Sequence, residues 1–223
     1  MKKTVDLTLP IITGHWRYPN VIRPFKSIDS GDASNITYYE LRSHWFTHID
    51  FPKHMLANGK TSADYPIDTF LCGVYFADVS SVGENTPIDE NLLKKAMVEY
   101  KGEPAIFIKT CWGLNCPWDS EDFWDKAPYM TRDGAEYILG FSPKIVGYDF
   151  PQDFDIRKLR YTEDEKSLDM VTHDVLLKNG VLMVEYMNGL WQVPVKSAQL
   201  CALPLNLQNA DGAQIRVAVT YEV

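Results

Sequence analysis

Apolar and polar residues alternate in short runs along this chain, and the period of the runs changes near its middle. Residues 5–9 put Val5, Leu7 and Leu9 at every second position and stop at Pro10, the pattern of a short strand. Residues 11–32 keep no period. Gly14, Trp16, Tyr18, Pro19, Pro24 and Phe25 mark them as a long ordered loop or arm, and loops of that length usually serve function or assembly. Residues 1–34 therefore read as an N-terminal strand and arm. Residues 35–42 are β-prone through Ile36, Thr37, Tyr38, Tyr39 and Leu41.

From residue 66 onward, strand and helix patterns take turns. A turn over residues 66–71 precedes a buried strand at 73–79. Pro87 opens a helix running to about Tyr100, with Leu92, Leu93, Ala96 and Met97 on one face. A second strand spans 105–109, and a second helix spans 130–139 with Thr131 as N-cap and Gly140 as C-cap. A third strand covers 144–148, a charged loop 149–167, a helical turn 168–177 and a further strand 181–186. Two closing strands, 199–203 and 214–221, flank the turn Asn209-Ala210-Asp211-Gly212. Strand-helix-strand order followed by antiparallel strands implies an α/β fold with a mixed sheet. No linker, repeat or low-complexity tract divides residues 1–223, which read as a single domain.

Composition adds exclusions. The 223 residues carry a net charge of -8 and no long basic run. That argues against nucleic acid or an anionic membrane as the main partner. No apolar stretch is long enough to span a bilayer, and the N-terminus lacks the apolar core of a signal peptide, so the expected location is cytoplasmic. Cys72, Cys111, Cys116 and Cys201 fit neither a zinc ribbon nor a disulfide scaffold and read as reduced thiols, mostly buried.

The chemistry concentrates in one place. Only 5 histidines occur, and His44, His48 and His54 fall within eleven residues, with Asp50 among them. Imidazole and carboxylate are the usual nitrogen and oxygen ligands of Zn2+ and Mn2+. On a straight strand His44 and His48 would lie about 13 Å apart, too far to share an ion. A helical turn would bring them within about 6 Å but send Asp50 to the opposite side. Convergence therefore requires a curl between His44 and His48, then extended chain through Asp50, with His54 overhanging the site from a turn after Pro52. Elsewhere, Glu185 is a charged residue inside an apolar strand, which is costly unless it is paired or metal-bound, and His173 precedes it. His15 and residues 149–166 are further candidates for shaping a pocket.

The run His44-x-x-Thr47-His48-x-Asp50-x-Pro52-x-His54 resembles the signature of the cyclase family of metal-dependent hydrolases, which includes bacterial kynurenine formamidases and isatin hydrolases. Supporting similarity lies in Asp6-Leu7-Thr8-Leu9-Pro10-Ile11, Tyr18-Pro19, Lys109-Thr110-Cys111-Trp112, Gly147-Tyr148-Asp149, the segment from His173 to Glu185, Ala202-Leu203-Pro204-Leu205 and Ala210-Asp211-Gly212. The resemblance implies a swivelling β/β/α architecture, assembled as a homodimer or homotetramer with exchanged arms. It implies that His44, His48 and Asp50 hold one divalent metal, Zn2+ or Mn2+. In two-metal members Asp50 and Glu185 would bridge to a second ion that His173 ligates. It further implies His54 as general acid/base and Tyr18 against the ring of a planar or aromatic small-molecule substrate.

Three positions depart from the family pattern. Phe46 stands where glycine is common, Phe51 where a small residue is usual, and Tyr18-Pro19-Asn20 where an aromatic-proline-glycine is usual. Conserved ligand types with altered lining imply hydrolysis of a small amide, formamide or lactam on a changed substrate, with Trp16, Tyr18, Phe46 and Phe51 near the mouth for stacking. Isatin-type lactam opening or polyketide-like cyclisation on the same site stays open. So does a non-catalytic metal-dependent binding protein whose pocket Phe46 and Phe51 plug, and so does a closed structural metal site.

Overall fold

β-Strands and helices alternate through the middle of the chain because its apolar runs are too short to be self-sufficient and must be covered by amphipathic helices. The computed structural model describes residues 1–160 and 165–223. In chain order the strands and helices are β1 (Lys2–Asp6), β2 (Val21–Lys26), β3 (Ile36–Glu40), β4 (His48–Asp50), β5 (Leu71–Asp78), β6 (Pro87–Ile88), α1 (Glu90–Ala96) and β7 (Ala105–Lys109). There follow α2 (Trp112–Asn115), α3 (Glu121–Asp125), β8 (Tyr129–Met130), α4 (Arg132–Leu139), β9 (Ile145–Tyr148), α5 (Val171–Val175), β10 (Leu182–Glu185), β11 (Ser197–Pro204) and β12 (Gly212–Glu222).

Eight strands form one mixed sheet in the order β1-β12-β11-β5-β7-β9-β10-β4. β5, β7, β9 and β10 run parallel, and the other pairings in this sheet are antiparallel. The long strand β12 pairs β4 through Gly212–Gln214 and β1 farther along, so the sheet closes on itself like a barrel. Alternation along β7 sorts the core. Ala105 and Phe107 pack inside with Val74, Phe76, Ile145, Val184, Val217 and Val219. Ile106 and Ile108 pack outside, in the cluster that includes Leu93 of α1, Ala135 and Ile138 of α4, and Val175 of α5. Burial on both faces explains why the parallel strands carry no polar alternation.

Most expected elements are present with shifted ends. The strand read at 5–9 is β1, because the ladder with β12 needs residues 2–6. The chain stays extended beyond it: Leu7 N–H donates to Val217, and Leu9 N–H to Thr47 Oγ1. The loop read over 11–32 contains β2, which pairs with β3 in a separate two-stranded sheet. Its residues are half-buried or exposed, so it carried no burial pattern. The helix read from Pro87 starts at Glu90. Asp89 is its N-cap, accepting from Leu92 N–H at 2.8 Å, and Pro87–Ile88 instead pair in parallel with β8. Thr131 caps α4 as read. The short helices α2 and α3 were not anticipated. In the loop read at 149–167, residues 154–160 and 165–167 form 3-10 turns and residues 161–164 lie outside the described set. The four cysteines are free thiols, Cys111 and Cys116 buried, Cys72 and Cys201 half-buried. No helix among the described residues is long and apolar enough to cross a membrane.

Gly147 in β9 shows how tightly the sheet centre is packed. A Cβ there would sit 2.6 Å from the Phe107 ring and 2.8 Å from Met187 Cε. Gly147→Ala is therefore expected to cost about 1–3 kcal/mol, read as a fall of several degrees in Tm by calorimetry.

Candidate metal centre

The curl demanded by the histidine spacing exists, and Phe46 makes it. Phe46 adopts φ 57, a left-handed conformation unfavourable for a side chain with Cβ. The strain is held by packing: Phe46 is fully buried, with its ring 4.7 Å from that of Tyr18 and 5.8 Å from that of His15. Thr47 then ties three segments together, donating to Tyr186 O at 2.7 Å and accepting from Leu9 N–H at 2.8 Å. After the curl, β4 extends His48, Ile49 and Asp50. Ile49 and Phe51 point into the barrel interior, and His48 and Asp50 point the other way.

Register delivers the remote carboxylate. β10 pairs antiparallel with β4 so that Glu185 lies opposite His48 and Met183 opposite Asp50. Glu185 also ends a parallel strand, the end at which α/β sheets place ligands. His173 arrives on α5, buried, with Nε2 3.6 Å from both Asp50 Oδ2 and Glu185 Oε1. His44 Nδ1 is 2.7 Å from Asp50 Oδ1. His54, on the turn Pro52–His54, has its ring centroid 3.8 Å from that of His44 and 5.4 Å from that of His173. The six residues singled out by sequence thus meet in one place.

The donor set itself asks for a cation. His48 Nδ1 is 2.7 Å from Phe46 O; a carbonyl only accepts, so Nδ1 carries the proton and Nε2 presents a lone pair. That lone pair faces Asp50 Oδ1 at 3.1 Å and Glu185 Oε2 at 3.7 Å. His48 Nε2 and Asp50 Oδ2 are buried without a hydrogen-bond partner. Acceptors aimed at acceptors in a buried space are unfavourable unless a positive charge lies among them. His44-His48-Asp50 and Asp50-His54-His173 each bring ligand atoms within 4.8 Å of one another, the spacing a bound ion requires.

The electrostatics agree. Burial raises Glu185, and the neighbouring Asp50 charge raises it further. Burial acts on Asp50 in the same direction, but His48 and His44 outweigh it and hold this carboxyl well below the usual range. Against burial, Asp50 and Asp211 lift His44 to about 9, and Asp153, Glu185 and Asp50 lift His173 to about 9. The carboxylates thus draw positive charge toward the cluster. His54 goes the other way: burial first, then the His44 and His173 charges, push it down to about 4 despite Asp50.

Sequence reasoning missed the supporting shell. Asp153 accepts from Thr172 N–H at 2.7 Å, Thr172 Oγ1 at 2.8 Å and His173 Nδ1 at 2.6 Å, which turns His173 Nε2 toward the site. Gln152 Nε2 donates to Glu185 Oε1. Asp211 Oδ2 lies 2.9 Å from His44 Nε2, and His44, His54 and Asp211 make a third ligand-spaced triad. Asp153 and Gln152 had one signal, polar residues in the segment right after a buried strand.

A cavity of about 1230 Å³ opens onto the cluster, lined by Trp16 and Tyr18 as well as His44, His48, Asp50, His54, His173 and Glu185. Two aromatic assignments need correction. Phe46 is buried behind Tyr18 and Phe51 inside the barrel, and neither lines the cavity, because the curl and the strand alternation turn both rings away. His15 is likewise buried, stacked on Trp118 at 5.3 Å.

A cation held here would rely on the Asp153–His173 hydrogen bond. Asp153→Asn is expected to weaken divalent-cation binding about 10–100-fold by titration calorimetry. His48→Ala is expected to retain no metal after dialysis, read by elemental analysis.

The chain is 26% identical over 195 residues to the kynurenine formamidase of Bacillus thuringiensis subsp. konkukian, covering 86% of this chain and 83% of the relative. It is 25% identical over 224 residues to that of Bacillus anthracis, covering 97% of each. Among solved structures, a predicted metal-dependent hydrolase from Bacillus stearothermophilus superposes with TM-score 0.74 at 22% identity, over 99% of this chain and 98% of that one. Isatin hydrolase A from Labrenzia aggregata superposes with TM-score 0.76 at 19% identity, over 98% and 93%. The family described as Putative cyclase matches residues 5–153, more than half of the chain, and the protein belongs to that family.

Proposed function

We propose that this protein is a metal-dependent hydrolase that cleaves the C–N bond of a small amide, formamide or lactam. The observation that carries the reading is the pair of orphaned buried atoms, His48 Nε2 and Asp50 Oδ2, on the wall of an open cavity. The names of the relatives support it: those cited are kynurenine formamidases, and a neighbour in fold is an isatin hydrolase. His44, His48 and Asp50 would hold one Zn2+ or Mn2+, and Asp50, His173 and Glu185 a second where two are bound. A divalent cation supplies Lewis acidity, acidifying a water ligand and polarising a carbonyl.

The residues of the chain do the rest. His54 overhangs the cluster against the His44 and His173 rings, and would take a proton from water and pass it to the leaving nitrogen. His54 also sits in two of the ligand-spaced triads, so acid/base and ligand roles must be separated. Trp16 and Tyr18 offer aromatic wall to a planar substrate. A plugged, non-catalytic scaffold is disfavoured by the positions of Phe46 and Phe51, which leave the cavity clear.

Assembly belongs to the same proposal. The β2–β3 hairpin exposes Phe25 at 65% and Tyr39 at 61%. A two-stranded hairpin alone is marginal in water, so a second copy of the chain is the natural cover, giving a homodimer or homotetramer.

His54→Ala is expected to keep its metal content while turnover falls by about 10²-fold or more. The assay is a panel of aryl formamides, isatin and cyclic imides, paired with elemental analysis. Loss of metal in that variant would make His54 a ligand, and an active His48→Ala protein would end the hydrolase reading. Chelation is expected to stop turnover reversibly. Tyr39→Glu is expected to shift sedimentation toward monomer.

A further inference from the structure

The cavity at the cluster is larger than the proposed reaction needs. Its volume is about 1230 Å³, above the roughly 300–1,000 Å³ usual for small-ligand pockets. A small planar amide against Trp16 and Tyr18 would leave much of that space to water. The remaining lining has a chemistry of its own. Met55, Ile156, Leu159, Leu168 and Met170 all face the cavity. Ile156 is buried, and the other four are half-buried. Aliphatic side chains offer water nothing, and a thioether offers only a weak acceptor. Water against this wall is therefore readily displaced by an apolar group.

The wall begins at the reacting groups. Met55 directly follows His54, at the end of the turn Pro52–His54. Met170 is the N-cap of α5 and stands three residues before His173, the helical spacing at which side chains share a face. Ile156 and Leu159 come from the 3-10 turn 154–160, which starts right after Asp153, the hydrogen-bond partner of His173. Met55, Leu159 and Met170 also pack on the core cluster outside the barrel, which backs the wall from behind. Lys166, the one charge that residues 154–170 bring to the lining among the described residues, is exposed, so its head can stay in water. An aromatic ring would find its stacking partners at Trp16 and Tyr18 instead. Two methionines among branched aliphatics suit a flexible chain, because the unbranched thioether adapts its shape to what it covers.

We propose that Met55, Ile156, Leu159, Leu168 and Met170 form an alkyl-binding subsite, so that the preferred substrate is an amide carrying an unbranched alkyl chain. The choice of an amide rests on the hydrolase reading; the binding of the chain does not. The subsite meets the part of the substrate that does not react. It therefore governs which amide is selected, and its residues are specificity-determining rather than catalytic.

The test varies chain length on the metal-loaded protein. N-alkylureas have the shape of an amide but resist hydrolysis, so their binding is measured by calorimetry; the matching N-alkylformamides are assayed for turnover. From N-ethylurea through N-butylurea to N-hexylurea, affinity is expected to rise about threefold per methylene. Leu168→Asn combined with Met170→Gln is expected to flatten that rise while metal content, read by elemental analysis, stays at the wild-type level. Leu168→Trp, which fills the space instead of making it polar, is expected to keep the rise as far as butyl and lose it at hexyl. Wild-type affinity that does not change with chain length overturns the proposal. So does a rise of undiminished steepness in the double variant, which would put the chain elsewhere in the cavity. If no formamide turns over but the urea series rises in the wild type and flattens in the double variant, the reaction is misassigned and the subsite stands.

Discussion

Two carboxylates that should repel are forced together at the centre of this protein. Asp50 and Glu185 lie on adjacent antiparallel strands, both pointing out of the barrel on the same side and both buried. Neither can turn to water. The chain sets imidazoles around them, and the carboxylates raise the proton affinity of His44 and His173. Removing two charges from water costs several kcal/mol per ion in real proteins. An arrangement that concentrates this cost at one cavity wall gains from any divalent cation that enters. Repulsion between the two carboxylates is what a divalent cation would relieve.

The fold is arranged to keep that juxtaposition fixed. β4 is three residues long, too short to be stable alone, but it is hydrogen-bonded on both edges, to β10 and to β12. His48 and Asp50 therefore sit on the segment that closes the barrel, and a slip of one residue would put both inside the apolar core. Ile49 and Phe51, fully buried there, set the register. The cost of the left-handed Phe46 is met by the aromatic packing around Tyr18 and His15, so the N-terminal arm and the curl support each other.

How far this was legible depended on whether the signal was local. The curl between His44 and His48 follows from ligand spacing alone, and so does the extension through Asp50. Glu185 was legible because a charge in an apolar strand needs a reason. Asp153 and Gln152 were not, since a carboxylate in a polar loop is ordinary until the fold brings Thr172 and His173 to it. The β2–β3 hairpin was only half legible. β3 shows its β-branched and aromatic residues, but β2 carries Pro24 and faces no core within the chain. Phe46 and Phe51 were misread for a related reason. Proximity in sequence to ligands says nothing of direction, and strand alternation sends the neighbour of a ligand to the opposite face.

The turn Asn209-Ala210-Asp211-Gly212 draws these strands of argument together. In sequence it was a hairpin turn between closing strands and a supporting likeness to the cyclase family. In the structure Asp211 O accepts from Phe51 N–H at 2.9 Å, which extends the β4–β12 closure by one bond. Its carboxylate meets His44 Nε2, and Gly212 lies against the same ring: a Cβ there would stand 2.6 Å from His44 Cε1. Any larger residue at 212 would push His44 off Asp50. The small residue that lets the last strand begin is thus also the one that lets the first histidine of the cluster approach. Barrel closure and the placement of His44 are a single geometric requirement.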